Sequence, residues 1–385
     1  MFSLLIVIIY LAFISLGLPD ALLGSSWPTM REEMNVPLSY AGIISMIVAL
    51  GTIFSSLMSD RLTRKIGTAK VTSFSVLLTA IALFGFSISS EFWMLALWAI
   101  PYGLGAGSVD ASLNNYVALH YSSKHMSWLH CMWGIGASVG PYIMGYFLIN
   151  HNSWNKGYLT ISILQIILTF ILFMSIPKWK KRVNEEKEEN AKPLGLIEIF
   201  KLRGAKEILI TFFCYCAVEQ TAGLWASSYL VEYFYVDKDV AASFASLFYL
   251  GMTFGRALSG FITTKLNDKT MIRSGISIVF IGIIFVILPF SEVFTYIGLL
   301  IIGLGCAPIY PCIIHSTPSL FGEDKSQAII GVEMAFAYIG TLLMPPLFGV
   351  FANLLSVRLY PFYMLILLIL MYIMFETLIR KTKVK

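Results

Sequence analysis

Two short runs, Gly103-Leu-Gly-Ala-Gly107 and Gly303-Leu-Gly-Cys-Ala307, stand 200 positions apart in the chain. Each lies inside a long apolar stretch, and neighbouring features repeat at nearly the same offset. Asp20, Gly24 and Trp27 fall near Glu219, Gly223 and Trp225. At a shift of 204, Gly136, Pro141 and Gly145 meet Gly340, Pro345 and Gly349. A match in one pair of segments arises easily by chance. Three pairs sharing nearly the same offset do not, so the second half of the chain repeats the first.

Composition says where such a chain can fold. Of its 385 residues, 57% are hydrophobic and 13% charged, against about 25% charged in a soluble domain. That much apolar surface needs a bilayer to cover it. The five cysteines (Cys131, Cys214, Cys216, Cys306, Cys312) sit in apolar runs without a C-x-x-C pair or metal spacing, and read as small buried hydrophobes. The formal charge of +5 is carried by short loops, which argues against a nucleic-acid partner. Residues 1–28 lack a basic region before the apolar run, and Asp20 interrupts it, so they read as a first span rather than a signal peptide.

A helix crosses the bilayer with roughly 20 apolar residues. Twelve such runs are predicted, at 3–28, 38–59, 69–88, 92–119, 126–149, 157–176, 206–233, 239–263, 271–290, 293–319, 326–351 and 357–378. The fold class is therefore all-α and membrane-spanning. An N-terminal six-helix bundle (1–176) is joined by a charged linker (177–205) to a C-terminal one (206–385). With the N-terminus inside, 22 Lys and Arg residues fall on the inner side, and only Arg31, Lys156, Lys238 and Arg358 on the outer. The positive-inside rule then places both termini in the cytoplasm, and the expected location is a bacterial-type inner membrane. Parallel six-helix repeats are the mark of alternating-access carriers.

The loop after the second span reads Ser56-Leu-Met-Ser-Asp60-Arg61-Leu-Thr63-Arg64-Lys65. It resembles the G-x-x-x-D-[RK]-x-G-[RK]-[RK] loop of the major facilitator superfamily, with Ser56 and Thr63 replacing its glycines. The equivalent loop after span 8, Gly260 to Lys269, keeps the glycine and the lysines but lacks the aspartate. The resemblance covers the whole chain and implies the major facilitator fold, twelve helices in two pseudo-symmetric bundles. It also implies a conformational latch at Asp60, Arg61 and Arg64, with a weak counterpart in the second half. Gly107-Ser-Val-Asp110-Ala-Ser-Leu-Asn114-Asn115, Trp128-Leu-His130-Cys-Met-Trp133 and Gly255-Arg-Ala-Leu-Ser-Gly260 are similar to the branch holding fucose permease and the sodium-dependent glucose transporters. That likeness implies a sugar carried with H+ or Na+.

Charges within spans cost about 2.5–3.5 kcal/mol on insertion scales and persist where they face water or a partner. Asp20, Asp110, Glu219, Arg256 and Glu333 stand in the predicted spans. On an unbroken helix, Gly17, Asp20, Gly24 and Trp27 share one face, so Trp27 is expected beside the carboxylate. Asp20 is read as proton-coupling, the role the resemblance gives the first-span aspartate; the alternative is a structural carboxylate paired with Arg256 or capping a helix break. Glu219, its repeat mate, is the second proton-coupling candidate, or else a polar helix contact. Asp110 and Asn114, one turn apart, offer an acceptor and a donor to adjacent hydroxyls, or clamp two helices together. Trp27, Asn115, Gln220, His130, Trp133 and Trp225 complete the expected substrate contacts. Arg256 and Glu333 are read as gating or conformational residues, with helix-end balance as the alternative for Glu333. His315 is more simply a packing residue.

These readings predict a secondary active transporter of a sugar or similar hydroxyl-rich solute, with H+ symport favoured and Na+ symport as the alternative. Gly136-x-x-x-Gly140-Pro141-x-x-x-Gly145 resembles a helix-5 motif linked to antiporters and keeps a drug or metabolite exporter open. No aspartate-rich diphosphate motif, histidine metal pair or G-x-S-x-G occurs, so an enzyme is not expected. Nor is any cofactor. The expected partners are the solute and the lipid bilayer, around a monomer.

Overall fold

The computed structural model describes residues 4–37, 40–151, 153–179, 194–288 and 291–382. Most of the predicted linker, residues 180–193, lies outside them, as do the first residue of the first span, the first two of the second and the last two of the ninth.

Twelve long helical segments follow in chain order. They are α1 (Leu4–Glu33, in two pieces), α2 (Tyr40–Ile66), α3 (Thr68–Ser87), α4 (Phe92–His120), α5 (Ser123–His151) and α6 (Trp154–Ser175). A short helix, Leu196–Lys201, precedes α7 (Ala205–Phe234), α8 (Lys238–Ile262), α9 (Asp268–Ile287), α10 (Glu292–Phe321), α11 (Glu323–Leu354) and α12 (Tyr360–Thr382). Among the described residues, eleven of the twelve are long and apolar enough to cross a membrane, and no strand occurs. The other, α8, has the length but carries Lys238, Asp239 and Arg256 among small residues.

Boundaries follow local chemistry. Ser153, Asn267 and Ser291 cap α6, α9 and α10, their side-chain oxygens accepting from Lys156 N, Thr270 N and Val293 N. A single residue joins α2 to α3 and α10 to α11. Reversing direction so sharply needs positive φ, and glycine supplies it at Gly67 (φ 80°) and Gly322 (φ 99°).

The chain divides into two compact units. The first holds Met1–Tyr116 and Leu129–Pro193, the second Val117–Trp128 and Leu194–Lys385. Sequence alone places 117–128 in the first half. Their contacts explain the difference. Tyr121 O accepts from His315 Nε2 (3.1 Å), Ser123 Oγ lies 3.7 Å from Cys312 Sγ, and the Trp128 ring stands edge-on to Phe261 (5.4 Å).

Within each unit the repeat is written in close backbone approaches. A Cβ on Gly103 would overlap the carbonyl of Val48, and one on Gly105 the carbonyl of Ser75. In the second unit the same holds for Gly303 on Phe248 and Gly305 on Gly275, every position 200 residues further on. The quoted glycine runs are thus the seams where α4 packs on α2 and α3, and α10 on α8 and α9. In membranes, where lipid is as apolar as a side chain, such small-residue seams let helices associate by close packing. A buried cluster including Leu22, Trp27, Met30, Trp154 and Tyr158 fills one end of the first unit.

Candidate functional site

Asp20 ends the first piece of α1, and Ala21 (φ −101°, ψ 0°) breaks the helix before Leu22 restarts it. Two residues before the break stands Pro19. Pro19 has no N–H, so the Ser15 carbonyl loses its helical partner. Gln165 Nε2 on α6 donates to that carbonyl instead (2.7 Å), while Gln165 Oε1 accepts from Thr79 Oγ1 on α3 (2.9 Å).

Glycines then bring α5 onto α1. Cβ atoms on Gly136 and Gly140 would overlap the Ile14 and Leu18 carbonyls, and one on Gly17 the Trp133 carbonyl. This seam delivers the Trp133 indole to Asp20: Nε1 donates to Oδ2 at 2.8 Å. From α4, Tyr102 OH donates to Oδ1 at 3.3 Å. Asp20 itself is exposed. Both of these donors are neutral, and among the described residues no cation lies within ion-pair distance of it. The two glycines of the helix-5 run therefore serve packing, whereas Gly145 faces open space.

The expected neighbour Trp27 is elsewhere. Because α1 breaks at Ala21, the face predicted from an unbroken helix is not kept, and Trp27 sits 3% exposed in the apolar cluster with Trp154.

A second polar chain crosses α4 and α5. Asn114 Nδ2 donates to Asp110 Oδ1 (2.8 Å), and His130 Nε2 donates to Asn114 Oδ1 (3.1 Å). Asn114, Asn115 and His130 are buried, and Asp110 is half-buried. The Phe13 ring stands edge-on to His130 at 5.5 Å. Asp110 is the least buried of the three hydrogen-bonded side chains. Asp60 is buried, with Arg64 Nε donating to both its oxygens at 3.0 Å, while Arg61 is exposed.

In the second unit, Glu219 on α7 faces Arg256 on α8, with Nη2 3.4 Å from Oε1. Their side chains are only 12% and 5% exposed. Gln220 is exposed. Trp225 Nε1 donates to the Pro345 carbonyl (3.0 Å), and its ring stands edge-on to Phe348 at 5.3 Å, so its one donor is held by α11. Glu333 is fully buried on α11 and bonded by Thr317. His315 lies 2.6 Å from Asp268 Oδ2.

Sequence reading missed Tyr102 and Gln165. Gln165 is the one amide in the span 157–176, and Tyr102 lies next to a glycine seam; in an apolar span such donors are signals in themselves.

Two repeated helical units, each with a carboxylate on its first long helix, have the build of a membrane carrier. The chain belongs to the major facilitator superfamily, whose family model matches residues 9–332 and 208–385. It is thus a membrane transporter and not an enzyme. The glucose/mannose transporter GlcP of Bacillus subtilis is 20% identical to it over 88% of this chain and 86% of its own. The class H tetracycline resistance protein of Pasteurella multocida is 23% identical over 74% of each. Among solved structures, that of the E. coli fucose:proton symporter FucP shares the fold, with a TM-score of 0.81 and 13% identity over 98% of both chains.

Proposed function

We propose that the protein carries a sugar or similar hydroxyl-rich solute by alternating access, as a proton-coupled symporter. The observation that carries this reading is Asp20, an exposed carboxylate in a helix break, bonded by Trp133 and Tyr102 and, among the described residues, with no cation in ion-pair distance. Protonation there removes one charge and strands no cation among the described residues. Asp110, tied to Asn114 and half-buried, supplies acceptors of the kind a sugar hydroxyl needs. The likenesses to GlcP and to the fold of FucP support the same substrate class.

In this reading Asp20 exchanges the coupling proton. Glu219 shares the task only where its pairing with Arg256 opens. Na+ is the alternative coupling ion, since carboxylate and amide oxygens bind either. The distribution of 22 inner against four outer basic residues supports an inner-membrane location with both termini cytoplasmic. The carrier acts as a monomer in the bilayer without a cofactor.

A second reading, drug or metabolite efflux by antiport, draws on the tetracycline-resistance relative and on the helix-5 glycine run. One experiment separates the two. Proteoliposomes are assayed for uptake of labelled D-glucose, D-mannose and L-fucose, with and without an inward proton gradient and with Na+ in place of it. Gradient-dependent uptake of one of them supports symport. Uptake of tetracycline but of no sugar into everted vesicles overturns it.

A further inference from the structure

Where α10 meets α11 there is a carboxylate that the site above does not use. Glu333 is 0% exposed, and both its oxygens lie on the Thr317 hydroxyl, at 2.9 and 3.2 Å. Among the described residues no Lys, Arg or His lies within ion-pair distance of it. Charged side chains on the helices packed around it pair elsewhere. On α7, Glu219 pairs with Arg256 and Glu207 with Lys381; on α10, His315 pairs with Asp268, and Tyr310 OH donates to Met334 Sδ; on α12, Glu376 pairs with Arg273. Lys201, Lys206 and Arg380 are exposed.

Thr317 Oγ1 also lies 3.1 Å from the carbonyl oxygen of Ile313. A hydroxyl has one hydrogen to give and lone pairs to accept with. When Glu333 is charged, Thr317 donates to it. When Glu333 is neutral, Thr317 turns its hydrogen to the Ile313 carbonyl, and its oxygen accepts a hydrogen bond from the carboxyl O–H. Rotation of one O–H bond satisfies either form, and no heavy atom has to move. Glu219 has no such choice, because its partner is a permanent cation.

We propose that Glu333 is a proton-binding site of the second unit, with Thr317 as the positioning residue that serves both its forms. This goes beyond the sugar reading and does not depend on it, because the ligand is the proton alone. The test is infrared difference spectroscopy on the purified full-length protein over a pH titration, in H2O and D2O, with no solute added. A protonated-carboxyl band should grow as pH falls, shift in D2O, persist in Asp20→Asn and disappear in Glu333→Gln. In Thr317→Val the band should remain but move in frequency, which keeps the test decisive if Glu333→Gln does not fold. A Glu333→Gln protein that retains every such band overturns the proposal. So does a band of constant height across the titration, or one unmoved in Thr317→Val.

Discussion

The first helices of the two units start from related sequence and end in different chemistry. In α1, Pro19 breaks the helix and Asp20 stands exposed at the break, bonded by an indole N–H and a phenol O–H. The repeat mate helix α7 contains no proline, runs unbroken from Ala205 to Phe234, and holds Glu219 against Arg256 at 3.4 Å. A carboxylate beside neutral donors can change its charge without stranding a partner. One beside a buried guanidinium gives up their mutual attraction when neutralised, and breaking a buried ion pair is costly. The repeat gives both halves an acid at matching positions in the sequence, Asp20 and Glu219. Under the proposed symport, the first is the one suited to change its charge.

The comparison is broken most directly at Asp20. In proteoliposomes, Asp20→Asn should reduce proton-driven sugar accumulation to the equilibrium level while solute counterflow continues. For one proton per solute, each pH unit of gradient is worth about 1.4 kcal/mol, or roughly tenfold accumulation, so the wild type should exceed the variant by about that factor per unit. Loss of counterflow together with accumulation would mean that Asp20 holds the solute rather than the proton.

Arg256 tests the other side. Removing one partner of a buried ion pair costs about 3–5 kcal/mol, so Arg256→Gln should lower the thermal midpoint and the yield of folded carrier steeply. Glu219→Gln with Arg256→Gln should recover much of that loss, since neither charge is then stranded. If the single and double variants melt together, the pair contributes nothing and Glu219 is as able to change charge as Asp20.

How much of this was legible in the sequence depends on what kind of fact is asked for. The seams at Gly103 and Gly303 were readable, because a glycine that must accept a neighbouring carbonyl leaves a repeat that side chains do not blur. The span count was readable because bilayer thickness sets helix length. Pairing was not. Asp20 and Glu219 look alike along the chain, and the choice of partner is made by α4 and α5 for one and by α8 for the other. Trp27 was misplaced beside Asp20 for a sharper reason: helical periodicity carries across Pro19 on paper, whereas the backbone breaks at Ala21. The segment 117–128 follows its contacts with His315, Cys312 and Phe261, which no span boundary reveals.

Trp133 sharpens the same contrast with a smaller effect. Trp133→Phe keeps an aromatic ring on α5 and removes the donor to Asp20 Oδ2. A hydrogen bond to a charged group is worth about 1.5–3 kcal/mol in soluble proteins, while interhelical bonds in membranes average about 0.6. Between the membrane average and the low end of the soluble range, gradient-driven uptake should fall by roughly threefold to tenfold, with counterflow little changed. Trp27→Phe is the control: its ring lies in the apolar cluster, so the thermal midpoint should drop while uptake per folded molecule holds. Equal effects of both variants on uptake would remove Trp133 from the site.

The smallest expected effect concerns the helix break itself. Gln165 donates to the Ser15 carbonyl that Pro19 leaves without a partner. Gln165→Leu keeps the volume and strands that carbonyl, whereas Thr79 retains the Val76 carbonyl as an acceptor at 2.8 Å. The loss should therefore be about 0.6 kcal/mol, the membrane average, read as a shift in the unfolding midpoint in a mild detergent. Pro19→Ala restores an N–H at residue 19, so in that background Gln165→Leu should cost less. The double-mutant cycle isolates the shared carbonyl. A coupling energy of zero would mean that Gln165 only packs, and that the break beside Asp20 holds without it.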